Sequence, residues 1–198
     1  MKRPLIAASQ DLPSPPRQTR SIEKRAKLLD AGRASFGEKG YEATSIADVT
    51  TRAGMASGAF YLYFRSKKQL LVVLMNELLE RLAAVDLHPT SDLHSFLAAV
   101  FRTDLEFLGV LRAWHEAILT DPELRAMHAQ IEAWTYARIL KLFRSLHTRR
   151  GADLPAFARM MDRHFWSLLA RASTLTPREL QREVSIAADV ISRYLFAE

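Results

Sequence analysis

The sequence predicts an all-α fold, and three observations support this prediction. Apolar residues recur at helical spacing nearly everywhere, most clearly between Leu70 and Leu82. No stretch shows the sustained apolar–polar alternation, bounded by hairpin turns, that is typical of β-strands. Prolines and glycines fall mostly where periodic stretches begin or end. The 198 residues, 48% of them apolar and 25% charged, suffice for one large or two small globular domains.

Residues 1–19 are predicted to form a flexible arm. Four of the eight prolines fall within the first 16 residues. The residues around them are mostly small or polar, so this segment cannot bury a core. Arg17 and Arg20 stand at its root, where they could contact phosphates or the minor groove of DNA.

About nine helices are predicted after the arm. They cover residues 21–37, 45–52, 56–63, 66–85, 91–108, 110–119, 122–149, 155–173 and 177–196. Two of them start with a capping-box pattern, Ser66 with Gln69 and Thr176 with Glu179. The helix after Ser66 carries a continuous apolar stripe along one face.

The composition excludes several classes of protein. The longest uninterrupted apolar runs have six residues, whereas a membrane-spanning helix needs about 20. The chain has no cysteine, which excludes disulfides, thiolate zinc sites and cysteine nucleophiles. Gln10, Asp11 and Pro13 interrupt any apolar core of a signal peptide. We therefore expect a soluble, cytoplasmic protein that needs no metal or cofactor.

Positive charge is concentrated in the first third of the chain. The net charge is +6 overall. Residues 1–68 hold 13 Lys/Arg and 6 Asp/Glu, whereas residues 69–198 hold 15 and 16. A basic segment attached to a near-neutral body favours a polyanionic partner. Nucleic acid is the usual one, and an anionic membrane surface is the alternative.

Residues 45–64 are predicted to form two short helices joined by a tight turn. Thr44 or Ser45 would cap the first helix, and Gly54 would adopt the positive φ that the turn requires. A small core would lock the pair, comprising Val49, Ala53, Met55, Phe60 and Tyr63, with Ile22, Ala26, Leu29 and Phe36 from the preceding helix. A helix-turn-helix needs this layout because its second helix must project from a rigid base into the major groove.

The same region resembles the TetR family of bacterial regulators. The resemblance rests on residues 37–49 (GEKGYEATSIADV), on Ala53-Gly54, on residues 58–64 (GAFYLYF) and on Ser66-Lys67, in the family's order and spacing. It implies a three-helix DNA-binding domain over residues 20–82. It also implies a ligand-binding and dimerisation domain over residues 83–198, where the chain resembles the family only in length, helix count and helix order.

The resemblance implies DNA contacts for nine residues. Thr44 and Ser45 lie at a helix N-terminus, where free amides and the helix dipole favour a phosphate. Tyr61 and Tyr63 would hydrogen-bond to phosphates, and Lys67 would bind the DNA backbone. The recognition helix would present small residues to the base edges, namely Ala56, Ser57, Gly58 and Ala59. Such residues allow close approach and contact with thymine methyl groups.

Two positions depart from the family pattern. Ala56 stands where most members have Ser or Thr, so the recognition helix lacks its usual cap, and Ser57 is the nearest substitute. Thr50 stands where Ala is usual, so a buried hydroxyl there would need a backbone carbonyl one turn back. Neither departure removes the motif.

The last two helices carry wide apolar faces that, by resemblance, would pair across a two-fold axis. The predicted dimer interface comprises Phe157, Met161, Phe165, Leu168, Val184, Ala187, Ile191 and Tyr194. The alternative is that both faces pack only within the subunit. A two-fold dimer would read the two half-sites of a palindromic operator.

The resemblance further implies a cavity for a small-molecule effector among the middle helices. The candidate lining residues are His115, Trp134, Phe101 and Met127, although residues of these types at helical spacing are more often core. An apolar cavity with few polar groups suits a hydrophobic effector. Such an effector would bind better to a state that binds DNA weakly, and would thereby release a repressor from its operator.

Two other classes of protein fit the sequence less well. An all-helical enzyme is disfavoured, because His115-Glu116 begins a zinc motif whose second histidine is replaced by Leu119. A non-specific binder of DNA or of an anionic membrane surface remains an alternative, which salt dependence and sequence preference would distinguish. The sequence therefore predicts a dimeric, ligand-responsive transcriptional regulator.

Overall fold

A computed structural model describes residues 18–85, 107–146, 148, 150–171 and 174–196. These residues form seven α-helices and one 3-10 helix, and no strand occurs among them, which confirms the all-α prediction for this part of the chain. The α-helices are α1 (Thr19–Ala43), α2 (Ile46–Arg52), α3 (Lys67–Ala84), α4 (Leu108–Thr120), α5 (Pro122–Ser145), α6 (Leu154–Arg171) and α7 (Pro177–Phe196). The 3-10 helix is Ser57–Leu62. The predicted helix 91–108 and the arm 1–17 lie outside the described residues.

The chain divides into two compact units. The N-terminal unit contains residues up to Leu79 together with Phe107–His128, and the C-terminal unit contains the end of α3 and residues from Ala129 onward. Helix α4 thus belongs to the same unit as the predicted DNA-binding helices. The predicted domain boundary near residue 82 stays a prediction.

Helix α1 is longer than predicted and changes direction near its end. It extends to Ala43, six residues beyond the predicted end at 37, but Gly40 inside it has φ 78° and ψ −176°. The left-handed φ interrupts the helix geometry there, and glycine adopts it without the penalty that a Cβ would impose. The helix therefore does not end at residue 37 as predicted, but bends at Gly40, three residues later.

The buried face of α1 differs from the predicted one. Ile22 and Ala26 are exposed, whereas Leu28, Leu29 and Phe36 are buried. The buried face is shifted toward the C-terminal half of α1, because α4 packs against this helix. Gly37 and Gly109 mark the close approach: a Cβ on Gly109 would lie 2.5 Å from the Cα of Gly37.

The predicted recognition α-helix over residues 56–63 is a 3-10 helix of six residues. Its N-cap position, Ala56, provides no side-chain hydrogen bond, as its missing hydroxyl predicts. A 3-10 helix has three residues per turn, so residues three apart lie on one edge. Phe60 is fully buried, so its edge faces the interior. The edge formed by Gly58 and Tyr61 and the edge formed by Ala59 and Leu62 therefore face outward.

The C-terminal unit is built around aromatic and aliphatic contacts between α5, α6 and α7. The ring of Phe157 stacks on Phe143 at 5.5 Å and on Tyr194 at 4.0 Å between centroids. The hydroxyl of Tyr194 also accepts a hydrogen bond from the Asp153 amide at the start of α6. The ring stack joins one residue from each of the three helices.

Several helix starts carry the predicted caps. The Gln69 amide donates to the Ser66 hydroxyl at 3.1 Å. Thr176 and Glu179 form a complete capping box, with the Thr176 amide donating to Glu179 at 2.8 Å and the Glu179 amide donating back at 3.3 Å. The predicted helix 122–149 ends earlier, at Ser145, and the described part of the predicted helix 155–173 is helical up to Arg171. No described helix is long and apolar enough to cross a membrane.

Candidate nucleic-acid interface

The start of α2 is held by a capping box that the sequence did not identify. The Asp48 amide donates to the Ser45 hydroxyl, and the Ser45 amide donates to the Asp48 carboxylate at 2.8 Å. Lys39 also donates to this carboxylate at 2.5 Å. The hydrogen bonds from Lys39 and Ser45 hold the pKa of Asp48 well below its usual range. Of the two predicted caps, Ser45 is therefore the one that caps α2.

Thr44 has a structural role in this conformation. Its side chain is buried, and its hydroxyl lies 2.6 Å from the Gly40 carbonyl and 3.1 Å from the Ser35 carbonyl. The hydroxyl thus ties the bend of α1 to the start of α2. The structure places this predicted phosphate contact in the interior, while Ser45 beside it is exposed.

The turn between α2 and the 3-10 helix has the predicted features. Gly54 has φ 65°, as the tight turn requires. The Thr50 hydroxyl lies 3.0 Å from the Ile46 carbonyl one turn back, which satisfies the buried group as predicted. Ser57 Oγ lies 3.5 Å from the same hydroxyl. Ser57 therefore interacts with α2, in addition to any role at the surface.

The outward edges of the 3-10 helix combine small residues with two large exposed side chains. Gly58 has no heavy atom within 4 Å of where a Cβ would lie, so its surface is open. Tyr61 is 61% exposed and Leu62 is 79% exposed. Leu62 was not among the predicted DNA contacts. Its position between two predicted phosphate-binding tyrosines was the available signal.

The inner edge of the 3-10 helix anchors it to the unit. The rings of Phe60 and Phe64 lie 5.5 Å apart, and both are fully buried. Tyr63 is half-buried, and its hydroxyl accepts a hydrogen bond from Ser21 of α1 at 3.3 Å. Of the two predicted phosphate-binding tyrosines, Tyr61 is therefore the more accessible.

Lys67 starts α3 and reaches back to the end of α1. Its ammonium group donates to the Tyr41 carbonyl at 2.6 Å and to the Glu42 carbonyl at 3.2 Å. It also lies 4.4 Å from the centroid of the Tyr41 ring, which is a cation–π distance. An ammonium group has three N–H donors, so one donor remains after these two hydrogen bonds.

The three described effector candidates do not lie in one unit. His115 and Met127 belong to the N-terminal unit and are half-buried, whereas Trp134 belongs to the C-terminal unit. Phe101 lies outside the described residues. The rings of His115 and His128 lie 5.8 Å apart, and His128 accepts a hydrogen bond from Trp114 at 3.3 Å. In the part of the chain that the structure describes, no group of His, Asp and Glu could hold a metal ion.

The interior of the C-terminal unit contains unusual polar groups. The indole N–H of Trp134 is buried and has no hydrogen-bond partner among the described residues, while Arg138 lies 4.8 Å above its ring. Asp162 is only 7% exposed and hydrogen-bonds with Thr135. Burial raises the pKa of Asp162 to about 6, and the nearby charge of Glu132 adds to the increase. No sequence pattern marks this carboxyl as functional, because Asp162 lies in the middle of a helix with no motif around it.

The predicted dimer residues are mostly interior in a single chain. Six of the eight side chains are buried, namely Phe157, Met161, Leu168, Val184, Ala187 and Ile191, and Phe165 and Tyr194 are half-buried. The strongest apolar stripe of each helix is thus buried within the subunit, and the assignment of these residues to a dimer interface stays a prediction. The large apolar residues exposed on α6 and α7 are Met160, Ile186, Val190 and Phe196.

Comparison with known proteins finds a family match in the same region of the chain. A sequence profile for bacterial regulatory proteins of the tetR family matches residues 28–74. The transcriptional regulator YvdT of Bacillus subtilis is 42% identical over 64 residues, which is 32% of this chain and 32% of YvdT. The chain therefore spans only about a third of that relative.

One relative is similar over most of the chain. The transcriptional repressor KstR of Rhodococcus jostii is 32% identical over 171 residues, which cover 85% of this chain and 69% of KstR. Among solved structures, a transcriptional regulator of Saccharomonospora viridis in complex with choline has a TM-score of 0.72 at 17% identity, over 89% of this chain and 99% of that one. Regulatory protein TetR of Rhodobacter sphaeroides has a TM-score of 0.68 at 19% identity, over 87% and 98%.

These comparisons agree with the geometry. The profile match includes the bend of α1, the capping box of α2 and the 3-10 helix. The structural neighbours share the all-helical fold over nearly the whole chain. Proteins of this kind are DNA-binding transcription factors and not enzymes. The chain belongs to the TetR family of bacterial regulatory proteins.

Proposed function

We propose that the chain is a ligand-responsive transcriptional repressor that binds a palindromic operator as a homodimer. The observation that carries this proposal is the exposed, small-residue surface of the 3-10 helix on a rigid base. Ser45 and Thr50 satisfy the polar groups of α2, and Phe60 anchors the 3-10 helix. A rigid base lets a short helix enter the major groove in one orientation.

The exposed edges favour a particular kind of base contact. Gly58 and Ala59 leave room for the backbone to approach the base edges closely, and Leu62 offers an apolar contact to thymine methyl groups. We assign phosphate contacts to the exposed Tyr61, to the third N–H of Lys67 and to Arg20, which follows the arm. Phosphate contacts would position the protein, while the small surface would read the bases.

For the dimer we propose the outward faces of α6 and α7. Met160, Ile186 and Val190 are between 42% and 52% exposed. Each lies on a helix whose opposite face is already occupied in the core. A second copy would cover these apolar side chains, as symmetric interfaces usually do. The half-site spacing of the operator would then follow from the dimer.

The effector that we propose is a small hydrophobic molecule. Trp134 supplies a buried indole N–H that an acceptor atom of the effector could satisfy. One structural neighbour was solved in complex with choline, and KstR is named a repressor. An effector acts by binding better to the state that binds DNA weakly. We place the protein in the cytoplasm, where its DNA lies.

The proposal is tested by selecting bound fragments from the source organism's DNA with the purified full-length chain at moderate salt. We expect enrichment of one palindromic motif, with affinity for it at least about 10³-fold above random duplex DNA. Equal enrichment of all fragments, together with a collapse of binding as salt rises, would instead support the non-specific alternative. Enrichment of none would refute the proposal, once denaturation and extraction show that no bound molecule locks the protein.

Gly58→Leu tests the placement of the recognition surface. No heavy atom lies within 4 Å of the added Cβ, so the variant should fold normally but lose operator binding by at least about 100-fold. Ala126→Leu is the matched control, since Ala126 is exposed in the same unit. Unchanged operator affinity of Gly58→Leu would show that another surface reads the DNA.

Ile186→Asp tests the dimer face. Placing a charge on this face should convert the dimer to a monomer at micromolar concentration, as measured by sedimentation equilibrium. Gln181 is exposed on a different side of the same helix, so Gln181→Asp should leave the dimer intact. If both variants remained dimeric, the interface would have to lie elsewhere.

A further inference from the structure

The carboxylate of Glu116, on α4, binds the backbone at the end of α1. The Tyr41 amide donates to Glu116 Oε2 at 2.6 Å, and the Glu42 amide donates to Oε1 at 3.3 Å. These two residues are 75 and 74 positions away in sequence, and they immediately precede the predicted DNA-binding segment. One side chain of α4 thus holds two consecutive backbone amides.

The bend at Gly40 creates the site that this carboxylate occupies. With φ 78°, Gly40 turns the following amides away from the helix axis and toward α4. A Cβ on Gly40 would overlap Glu116 Oε2. Consecutive backbone N–H groups around a left-handed residue form a concave anion-binding site. Hydrogen bonds to an ionised acceptor are about twice as strong as neutral ones.

Lys67 holds the same short segment from its carbonyl side, so that the peptide unit between Tyr41 and Glu42 is bound at both its N–H and its C=O. Its ammonium group donates to the carbonyls of Tyr41 and Glu42, the residues whose amides bind Glu116. An anion on the amides and a cation on the carbonyls both favour the orientation of these peptide dipoles. The Tyr41–Glu42 segment is therefore clamped between α4 and the first residue of α3.

This clamp determines where the predicted phosphate contacts lie. The hydroxyl of Thr44, two residues after Glu42, donates a hydrogen bond to the Gly40 carbonyl. The next residue, Ser45, caps α2. Movement of the clamped segment would therefore shift both Lys67 and the start of α2. The close approach of Gly37 and Gly109 fixes how α4 lies against α1.

We propose that Glu116 is a positioning residue for DNA binding, through which α4 sets the positions of Lys67 and of the α2 N-terminus. This inference rests on the proposed function, because it concerns how that interface is kept ready for phosphate. Glu116 does not itself touch DNA. It acts by holding the Tyr41–Glu42 segment, in which the peptide unit between these two residues is also bound by Lys67.

Glu116→Gln tests this role, because the amide keeps the size of the side chain but removes the charge and one acceptor. The matched control is Glu123→Gln, which removes a carboxylate of the same unit that pairs with Lys68 instead. The probe is the duplex that wild-type protein selects. Binding is measured from about 50 to 300 mM salt, and amide hydrogen exchange is measured over residues 41–45.

We expect Glu116→Gln to bind the duplex about 10-fold more weakly at the lowest salt. The slope of log affinity against log salt should fall by about 1 per half-site, since a displaced Lys67 no longer neutralises its phosphate. The amides of Tyr41 and Glu42 should exchange at least 10-fold faster. Glu123→Gln should match wild type in all three measurements. A merely structural role would lower the unfolding midpoint but leave the salt slope unchanged.

Unchanged affinity and salt slope in Glu116→Gln, while the wild-type protein binds the duplex, would overturn the inference. If wild type selected no duplex at all, the proposed function would fail first. Hydrogen exchange then decides the remaining claim, because unchanged exchange at Tyr41 and Glu42 would refute the clamp.

Discussion

The two units of this protein are stabilised in different ways. In the N-terminal unit, charged and hydroxyl side chains bind the backbone at many points, among them Thr44, Ser45, Lys67 and Glu116. In the C-terminal unit, the Phe143–Phe157–Tyr194 stack joins α5, α6 and α7, and burial raises the pKa of the Asp162 carboxyl.

This difference explains why sequence similarity is concentrated in one region. A side chain that caps an amide or crosses a bend can be replaced by few others, because length, charge and acceptor geometry all matter. An apolar core position accepts several residues of similar volume. Accordingly, the family profile matches residues 28–74, whereas two solved neighbours, at 17% and 24% identity, each match over 89% of the chain.

Truncation of Phe60, which anchors the 3-10 helix, should have the largest effect on stability. Phe60→Ala removes a fully buried ring and should lower the free energy of unfolding by about 3–5 kcal/mol. Leu62→Ala, two residues away but 79% exposed, should change it by less than about 0.5 kcal/mol. Urea unfolding followed by circular dichroism measures both. Similar losses of unfolding free energy in both variants would contradict the inward position of Phe60 and the outward position of Leu62.

Gly54 and Gly40 both have positive φ, but only a Cβ at Gly40 would meet the Glu116 carboxylate. Replacing each by alanine therefore compares backbone strain with strain plus the loss of that contact. Gly54→Ala has open space around its new Cβ and should cost only the strain, about 1–2 kcal/mol. Gly40→Ala should cost about 1–2 kcal/mol more, because φ 78° with ψ −176° is a backbone conformation essentially restricted to glycine and because the new Cβ also displaces the Glu116 carboxylate. Thermal unfolding of the two variants under one buffer condition gives the difference. Equal losses would show that the carboxylate contributes little.

The buried carboxyl of the C-terminal unit should make stability depend on pH. Burial raises the pKa of Asp162 to about 6, above its unfolded value of 3.8. The neutral acid therefore stabilises the fold below about pH 4, and this contribution is lost as the pH rises through 6. After solvent screening, the loss is roughly 1–2 kcal/mol.

Asp162→Asn should remove that part of the pH dependence. Urea unfolding of wild type and variant at pH 4 and pH 7.5 measures it. An Asp162→Asn profile parallel to wild type would mean that water reaches the carboxyl in the folded state.

The smallest effect is expected at the exposed tyrosine of the recognition surface. Tyr61→Phe removes one phosphate hydrogen bond and should weaken operator binding about 3- to 10-fold without changing stability. Tyr136→Phe, in the C-terminal unit, is the control. Fluorescence anisotropy with a labelled duplex at fixed salt measures both. Wild-type affinity for Tyr61→Phe would remove its hydroxyl from the phosphate contacts.

Local signals in the sequence were sufficient for most of the fold. Helical periodicity and caps such as Ser66 and Thr176 located the helices, and the turn at Gly54 and the acceptor for Thr50 were predicted correctly. Each of these features involves residues within about four positions, so the pattern and the contact lie in the same short segment.

The site was predicted only in part. Exposure of Tyr61 and Gly58 agrees with the predicted surface, although their DNA contacts stay predictions. Thr44 proved to be interior, and Leu62 and Glu116 were not singled out. Periodicity identified the apolar stripes of α6 and α7 but could not distinguish a core face from a dimer face, because both are apolar at the same spacing.

The amino-acid sequence alone determined the helical class, the helix-turn-helix segment and the family, since these depend on short-range patterns and residue types. Only the tertiary structure decided which stripe of each terminal helix is buried and which carboxylate holds the bend at Gly40. The Glu116–Tyr41 contact joins residues 75 positions apart. Such a contact leaves no local periodicity, because it is set by how α4 packs on α1 and not by either segment by itself.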